Sequence, residues 1–410
     1  MPRGSTAVPG IPELAAILHK ITELLARELV FPTDQPPAWT DREWRVARAV
    51  AAMQGISALL ELRLRWQGPP GWRRFLEEQK HHSVLRHTEI SRVLGLIQSH
   101  AIRNGVAVLA LKGAALYQQG IYAAAERPMG DIDLLVREAD ADLVAQLLKQ
   151  CGYESAFVAR RHAVFQPKFR KSSSDQPGEH IDNPIKIELH TRIAERLPVS
   201  EVDITDLLLV GPPTSGIANY PSAASLMLHL LLHAAGNMRA RALRQIQIHD
   251  IALLAARMNA SDWQQLLASR PDGDPPWWIW APLRLTARYY PAAIQQGLFD
   301  RRDMGAPYLL RRCARRQLLS DVSWANIRIA AFPGLEWSRS AFEALAFMKS
   351  RAWPSRAARL ELSTNAAQIP GSANVPWYGI SHRARILRWM FTRPPRVQTL
   401  LAVRAVLMQD

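Results

Sequence analysis

Two aspartates separated by one apolar residue, Asp131 and Asp133, open the apolar run DIDLLV. If this run is a β-strand, its side chains alternate, so both carboxylates leave one face from Cα atoms about 6.5 Å apart. Carboxylates at that spacing can hold a pair of divalent cations, which lie about 3.5 to 4 Å apart in two-metal phosphoryl-transfer sites. Without a cation, two charges about 4 Å apart repel by roughly 4 kcal/mol at an effective dielectric constant of about 20. The pattern predicts a metal or a proton at the pair, and the competing interpretation is a solvated edge strand without chemistry.

The residues before this pair have the pattern of a strand, a turn and a helix. The apolar run from Val106 to Leu111 predicts a buried strand, and the strand ends at Lys112 and Gly113. Residues 114–119 then favour a helix. The aspartate pair therefore begins a second apolar strand shortly after a basic turn that contains glycine.

A third acid is expected on a later strand. Residues 184–190, PIKIELH, alternate as a strand does, with Lys186, Glu188 and His190 on one face and apolar side chains on the other. Glu188 is the candidate. For His190 three roles stay open, namely orienting a carboxylate, contacting substrate and making a structural hydrogen bond.

These residues resemble a bacterial family of uncharacterised nucleotidyltransferases within the DNA polymerase beta-like superfamily. The resemblance rests on LKGA at residues 111–114, RPMGDIDLLV at 127–136 and Gly152-Tyr153 after a helix, and it covers about residues 100–195 well. Superfamily members have a Gly-Ser or Gly-Gly turn, where this chain has Lys112 and Gly113. The resemblance implies that Asp131, Asp133 and Glu188 form a carboxylate triad.

The resemblance also implies an activity. The protein would be a magnesium-dependent enzyme with a two-ion site formed by Asp131, Asp133 and Glu188, and it would move a nucleoside monophosphate from an NTP, with ATP the expected donor, to an acceptor. Pyrophosphate would leave. The acceptor is not identified by the sequence and could be a small molecule, a peptide or a protein, and it could be anionic. The alternative function is that of a nucleotide- or nucleic-acid-binding protein of the same fold that does not catalyse.

Three further residues are candidates for binding the nucleotide. Gly113 at the helix start would let the triphosphate approach backbone amides, and the positive end of a helix favours an anion. Lys112 and Arg127 are placed to neutralise phosphate charge, with Arg127 suited to bidentate contact. The competing interpretations are a lysine that extends from the end of a strand for Lys112 and a salt bridge with an aspartate for Arg127.

Composition limits the class of protein. The 410 residues, 48% hydrophobic and 21% charged, are too many for one compact core and are typical of a globular protein of two or more units. We find no signal peptide and no apolar run of transmembrane length, and the two cysteines cannot build a disulfide framework, so a cytoplasmic location is expected. The net charge of +15 could reflect genome composition or a surface for anions. Nucleic acid stays open as a partner, although no binding motif supports it.

The predicted fold class is α+β, with a small mixed-sheet, polymerase-beta-like nucleotidyltransferase core flanked by helices. The predicted units are an N-terminal helical region at residues 1–99, the catalytic core at 100–195 and a mainly helical C-terminal region at 196–410. Thr40 to Glu43 form a capping box that begins a helix running to about Leu64, and another helix runs from about Ser83 to Arg103. The polar segment 168–184 could be a lid or an ordinary hairpin loop.

Two features of the C-terminal region allow more than one interpretation. His229 and His233 have the i, i+4 spacing of a zinc pair but lack the HExxH glutamate, so core or interface histidines are favoured. The arginine-rich end, residues 380–408, could contact a membrane surface or an acidic partner, although a docked terminal helix with solvated arginines is favoured.

Overall fold

The computed structural model of the chain describes residues 10–158, 162–169, 178–211, 214–294, 296–299, 305–328, 330–355, 381–392 and 395–408. The chain begins with four helices, α1 (Ile11–Val30), α2 (Asp41–Gln54), α3 (Ser57–Arg63) and α4 (Pro70–Arg103). The capping box at α2 is present, since Thr40 Oγ1 accepts from the Glu43 amide at 3.3 Å and the Glu43 carboxylate accepts from the Thr40 amide at 2.8 Å.

Two predicted boundaries in these helices are wrong. The helix after Thr40 does not continue to Leu64, because Gly55 adopts φ of 68° and ends α2 in a left-handed cap. The helix predicted from Ser83 begins at Pro70 instead, and α4 is 34 residues long. Proline is tolerated in the first helical turn, and nothing between it and Ser83 breaks a helix.

A mixed sheet of six strands forms the centre of the molecule, in the order β3-β4-β5-β2-β1-β8. Its strands are β1 (Ala107–Ala110), β2 (Asp131–Leu135), β3 (Tyr153–Val158), β4 (His162–Pro167), β5 (Lys186–His190) and β8 (Gly216–Ala218), and a separate hairpin contains β6 (Ala194–Arg196) and β7 (Glu201–Asp203). The β2–β5 and β1–β8 pairs are parallel, whereas the pairs β1–β2, β3–β4 and β4–β5 are antiparallel. The predicted mixed-sheet core flanked by helices is confirmed.

Further helices connect the strands and follow the sheet in the described part of the chain. They are α5 (Lys112–Gln118), α6 (Ala141–Gln150), α7 (Thr205–Leu208), α8 (Ala223–Ala240), α9 (Gln245–Ala255), α10 (Ala260–Ala268), α11 (Trp280–Tyr289), α12 (Tyr308–Ala314), α13 (Leu319–Val322), α14 (Ala341–Ala352), α15 (His382–Thr392) and α16 (Val397–Leu407). Within the described ranges, none of the helices has both the length and the apolar character needed to cross a bilayer.

The sheet separates two buried apolar clusters. One face, with Val108, Ile132 and Leu134, packs on the second half of α4 and on α6. The other face contributes Leu109 and Leu135 to a larger cluster that also contains α1, α2, α8, α9 and α11. Because strand residues alternate, Asp131 and Asp133 share the face of Leu135 and lie toward the helical region. Helices that precede the sheet in sequence and helices that follow it therefore pack on the same face of the sheet.

Strand β8 lies beyond residue 195 and completes the sheet next to β1. The sheet thus draws on residues from both sides of the predicted core boundary, and the three-part division of the chain stays a prediction. Helix α8 passes through Gly236 without a break. A Cβ on Gly236 would lie 2.7 Å from Glu195 Cδ, so the residue allows close packing there and does not end the helix.

The C-terminal end contains two helices, α15 and α16, separated by Pro395. Thr399 in α16 is fully buried and donates to the Trp324 carbonyl at 2.7 Å, and Val403 and Val406 are buried as well. The favoured interpretation of a docked terminal helix therefore fits α16. Ile380 and Arg393 of the predicted basic segment lie outside the described residues.

Candidate active site

The parallel pairing of β2 and β5 brings Asp133 opposite Glu188. His190 follows two residues later on the same face, and its Nε2 lies 3.1 Å from Asp133 Oδ1 and 3.5 Å from Glu188 Oε2. One ligand atom from each of Asp133, Glu188 and His190 lies within 4.8 Å of the others. Two carboxylates and one imidazole at these distances can hold a divalent cation.

Only two of the three predicted ligands, Asp133 and Glu188, belong to the group of close ligand atoms. Asp131 stands two residues before Asp133 at the exposed start of β2, opposite Lys186. Among the residues that the structure describes, Asp131 is not part of the close group, and His190 takes the third position. The predicted triad of Asp131, Asp133 and Glu188 as metal ligands stays a prediction, and His190 joins it as a candidate ligand.

Lys112 supplies a positive charge to this group. Its Nζ lies 2.8 Å from Asp133 Oδ1, and its backbone has φ of 46°, a left-handed conformation that is uncommon for a residue with a side chain. Burial alone would lower the pKa of Lys112, but Asp133 and Asp131 outweigh burial and raise this pKa. The ammonium group is therefore held charged beside the carboxylates.

Burial and neighbouring charges shift the pKa values of the three carboxyl groups in the site. Burial would raise the pKa of Asp133, yet Lys112 and His190 hold it well below its usual value. Burial and then the neighbouring Asp133 raise the pKa of Asp131, although that residue as a whole stays accessible to water. The bond from His190 lowers the pKa of Glu188 against the effect of burial. The site therefore has one carboxylate that stays ionised, Asp133, and one that more readily takes up a proton, Asp131.

His190 contacts both neighbouring acids. Burial would lower its pKa, but the hydrogen bonds with Asp133 and Glu188 raise it. Of the three roles left open by the sequence, the geometry fits orientation of a carboxylate directly. Lys112 and a protonated His190 carry positive charge that offsets the negative charge of the carboxylates, and a bound cation would offset the same negative charge.

Arg127 is placed close to the Lys112–Gly113 turn but is paired. Its guanidinium makes a bidentate ion pair with Asp250 of α9, and both side chains are largely buried. The salt bridge with an aspartate, one of the two interpretations of Arg127, is therefore present. A Cβ on Gly113 would lie 2.3 Å from Arg127 Nη1, so only glycine leaves room for this guanidinium. Whether Arg127 and Gly113 also bind the nucleotide stays a prediction.

Arg86 of α4 was missed by the sequence reasoning. Its side chain is buried, and it donates to the carbonyls of Met129 at 3.0 Å and Gly130 at 3.3 Å, immediately before Asp131. Arg86 Nε also lies 2.6 Å from a carboxylate oxygen of Glu179. A signal was available, because Arg86 lies at helical spacing from the buried Ile90 and Val93.

Arg86 also holds the end of the polar segment 168–184, for which a lid and an ordinary hairpin loop are the two interpretations. Its Nη1 donates to the carbonyls of His180 and Asn183 at 3.1 and 2.6 Å, so residues 178–183 are attached to α4. Residues 170–177 of that segment lie outside the described part of the chain. Both interpretations of the segment stay predictions.

The histidine pair of α8 lies behind the site. His229 is buried and bonds through Nδ1 to the Tyr220 hydroxyl at 2.6 Å, and Tyr220 is hydrogen-bonded to the backbone of Lys112. Burial and then Lys112 lower the pKa of His229 to about 3. His233 lies 3.1 Å from Asn237 Nδ2, and neither histidine belongs to a group of three metal-ligating side chains within the described ranges. Core histidines remain the favoured interpretation.

Two surface depressions lie elsewhere, on the C-terminal helices. The larger, about 370 Å³, is lined by Tyr308, Arg311, Arg312, Arg315 and Arg316. The smaller, about 210 Å³, is lined by Arg284, Ala287, Arg288, Phe299 and Arg315. Neither includes a carboxylate of the site. Arg315 lines both depressions, and we call the arginine-rich lining of the two the basic surface.

Comparison with known proteins agrees with this geometry. A family described as uncharacterised nucleotidyltransferase matches residues 16–272, which is more than half of the chain. The matched range includes both aspartates, Glu188, His190, Lys112, Arg127 and Asp250, and it extends beyond residues 100–195 on both sides. No curated protein matches the chain. The chain is an enzyme that belongs to the uncharacterised nucleotidyltransferase family.

Proposed function

We propose that the protein transfers a nucleoside monophosphate from an NTP, with ATP the expected donor, to an acceptor and releases pyrophosphate. The observation that carries this proposal is the register of β2 and β5, which sets Asp133 beside Glu188 and His190 within reach of one cation. The proposal rests on that arrangement in a chain of a nucleotidyltransferase family.

The donor set fits a divalent metal. Asp133 and Glu188, with His190 or Asp131, would hold the ion, and oxygen-rich sets of this kind suit Mg²⁺ and Mn²⁺. When bound, the metal would neutralise charge on the triphosphate and on the departing pyrophosphate. The observation that supports the fit is the donor set itself, since one ligand atom from each of Asp133, Glu188 and His190 lies within 4.8 Å of the others.

The chain's own residues would then perform the following steps. Lys112, at the turn beside Asp133, would contact a phosphate oxygen as a point charge. An acceptor oxygen or nitrogen would attack the α-phosphorus while its proton passes to a nearby carboxylate, for which Glu188 and Asp131 are the candidates. The bond from the α-phosphorus to the bridging oxygen would break, and its electron pair would leave with pyrophosphate.

We also propose an anionic acceptor or partner. The supporting observation is the basic surface formed by the two arginine-lined depressions, because arginine forks match phosphate and carboxylate groups. A cytoplasmic location is proposed as well, on the ground that Cys151 and Cys313 are both free thiols.

The test is to incubate the purified protein with each of the four NTPs and Mg²⁺, to supply cell extract as acceptor and to follow pyrophosphate release. Release that needs extract and is lost in the Asp131→Asn/Asp133→Asn variant would establish transfer and identify the donor. If the folded double variant releases pyrophosphate at the wild-type rate, the proposal fails. Magnesium-dependent nucleotide binding without release would instead indicate a binding protein.

A further inference from the structure

Asp250 holds Arg127 through two of the three nitrogen atoms of the guanidinium group. Arg127 Nε lies 2.9 Å from Asp250 Oδ1, and Nη2 lies 2.8 Å from Asp250 Oδ2. Among the described residues, the third nitrogen, Nη1, makes a long contact of 3.5 Å with the Pro128 carbonyl. It is directed at Gly113, where a Cβ would meet it at 2.3 Å. The bidentate pair therefore leaves one edge of the guanidinium facing the turn that contains Lys112.

Two tyrosines contact this ion pair, one at Asp250 and one at the backbone of Arg127. The Tyr122 hydroxyl donates to Asp250 Oδ1 at 2.6 Å. The Tyr117 hydroxyl accepts from the Arg127 amide at 3.1 Å and donates to the Arg127 carbonyl at 2.8 Å. Both the backbone and the side chain of Arg127 are thus held in place, and Asp250 comes from a helix 123 residues away in the chain.

A buried ion pair of this kind is by itself weak evidence for a role in stability. The side chain of Asp250 is 3% exposed and that of Arg127 12% exposed, so both charges have lost most of their water. Replacing such a pair by well-packed apolar side chains is often neutral or even stabilising, because desolvation offsets the attraction between the charges. A binding site, however, benefits from a carboxylate that holds an arginine side chain in one orientation, because the guanidinium is then in place before the ligand binds.

A second cation stands beside this one. Lys112 precedes Gly113, against which Nη1 lies, and its ammonium reaches Asp133 of the carboxylate group. Burial and the charges of both Lys112 and Arg127 act on His233 and hold its pKa well below the usual value, so the two cations act on the same imidazole. Lys112 and Arg127 are both neighbours of Gly113, one along the chain and the other through space, and two cations beside one backbone position suit a polyphosphate.

We infer that Asp250 is a positioning residue for nucleotide binding, which holds Arg127 against the Lys112–Gly113 turn so that Nη1 faces the phosphates of the bound nucleotide. This inference rests on the proposed function, since it takes the triphosphate as ligand. It assigns a part of the site to α9, in the helical region, and it gives Gly113 a definite task, which is to leave room for the guanidinium.

The experiment measures the dissociation constant of Mg·ATP by calorimetry, and of each other NTP in turn, for wild-type protein and for two variants. Asp250→Asn keeps the shape of the carboxylate but removes its charge. Arg127→Met/Asp250→Leu removes both charges and fills the space with apolar side chains. Thermal unfolding shows whether each variant is folded, and binding of Mn²⁺ without nucleotide reports on the carboxylate group alone.

We expect both variants to bind the nucleotide at least about tenfold more weakly, the change that a lost charged contact typically causes. Mn²⁺ binding should stay at the wild-type value, and the double variant should unfold close to the wild-type temperature. The matched control is Glu336→Gln, which breaks another largely buried pair, that of Arg241 with Glu336 at 2.8 Å. This control should change unfolding but not nucleotide affinity.

A purely structural pair would behave differently. In that case Asp250→Asn would lower the unfolding temperature, while the folded protein and the apolar double variant would bind the nucleotide as the wild type does, and the inference would be wrong. If Asp250→Asn does not fold, Tyr122→Phe and Gly113→Ala address the same contact, and both should weaken nucleotide binding without affecting Mn²⁺. If wild-type protein binds none of the four NTPs, the proposed function fails and this inference fails with it.

Discussion

Lys112 Nζ lies 2.8 Å from Asp133 Oδ1, and the residue that makes this contact has a left-handed backbone with φ of 46°. Such a conformation costs a residue with a Cβ on the order of 1 kcal/mol, which the surrounding contacts must offset. The ammonium group occupies a position beside the carboxylates that a divalent cation would also favour. The turn therefore stores strain in order to bring a positive charge to the site.

Lys112→Met should destabilise the metal-free protein by about 2 to 3 kcal/mol, because Asp133 would keep a buried charge without its lysine. Mg²⁺ or Mn²⁺ should restore part of this loss, so the rise in unfolding temperature on adding metal should be larger in the variant than in the wild type. Thermal unfolding in EDTA and in excess metal measures both. Lys80→Met, which breaks the more exposed pair of Lys80 with Glu61, is the control. An identical metal response in wild type and Lys112→Met would contradict the prediction.

His190→Gln should weaken Mn²⁺ binding by about ten- to a hundredfold if the imidazole ligates or orients a ligand. The wild-type affinity should rise with pH, because the proton on His190, whose pKa is raised, competes with the metal. In the variant this part of the pH dependence should disappear. Titration of Mn²⁺ followed by electron paramagnetic resonance between pH 6 and 8.5 would measure it, and parallel pH curves would exclude a direct role of His190.

His249 should make the protein sensitive to acid. Burial lowers the pKa of this histidine from its ordinary value of 6.5 to about 4. Between these two pH values the imidazole is protonated in the unfolded chain but neutral in the folded chain. The loss of unfolding free energy caused by His249 is absent above pH 6.5. It grows as the pH falls toward 4, by up to about 1.4 kcal/mol per pH unit. Urea unfolding at several pH values should show a shallower loss for His249→Gln. Equal slopes would show that the imidazole is protonated in the folded state.

Arg86→Met should cost roughly 3 to 5 kcal/mol of unfolding free energy, because Glu179 and the carbonyls before Asp131 lose a buried cation. Activity in the folded fraction should fall as well, since the start of β2 would no longer be held by α4. Denaturant unfolding gives the first quantity. Arg92→Met on the exposed side of the same helix should change stability by less than about 1 kcal/mol. A similar effect of both substitutions would show that Arg86 has no special role.

The basic surface should bind polyanions in a salt-dependent way. Arg312→Gln/Arg315→Gln/Arg316→Gln should lower the slope of log affinity against log salt by about 2 for a single-stranded oligonucleotide used as probe, if all three contact phosphates. The control with the same loss of charge is Arg73→Gln/Arg74→Gln/Arg103→Gln on α4, and fluorescence anisotropy is the measurement. Equal weakening by the two triple variants would mean that net charge alone attracts the probe.

The local part of this protein could be predicted from the sequence, because it depends on the spacing of neighbouring residues. An apolar run predicted β2 and alternation predicted β5, and thereby the shared face of Asp131 and Asp133 on one strand and of Glu188 and His190 on the other. The capping box at Thr40 was predicted for the same reason, since a helix start is a local arrangement of hydrogen bonds. The α+β fold class followed from these elements and from the resemblance they carry.

The tertiary structure decided the contacts between residues that are far apart in the chain. Asp250 reaches Arg127 across 123 residues, and Arg86 reaches the carbonyls before Asp131 from a helix that was predicted too short. No periodicity encodes such pairs, because they depend on how whole elements pack. The close group formed by Asp133, Glu188 and His190, with Asp131 outside it, likewise follows from the register between two strands. The sequence by itself determined which residues carry charge on the site's face, and packing determined which of them meet.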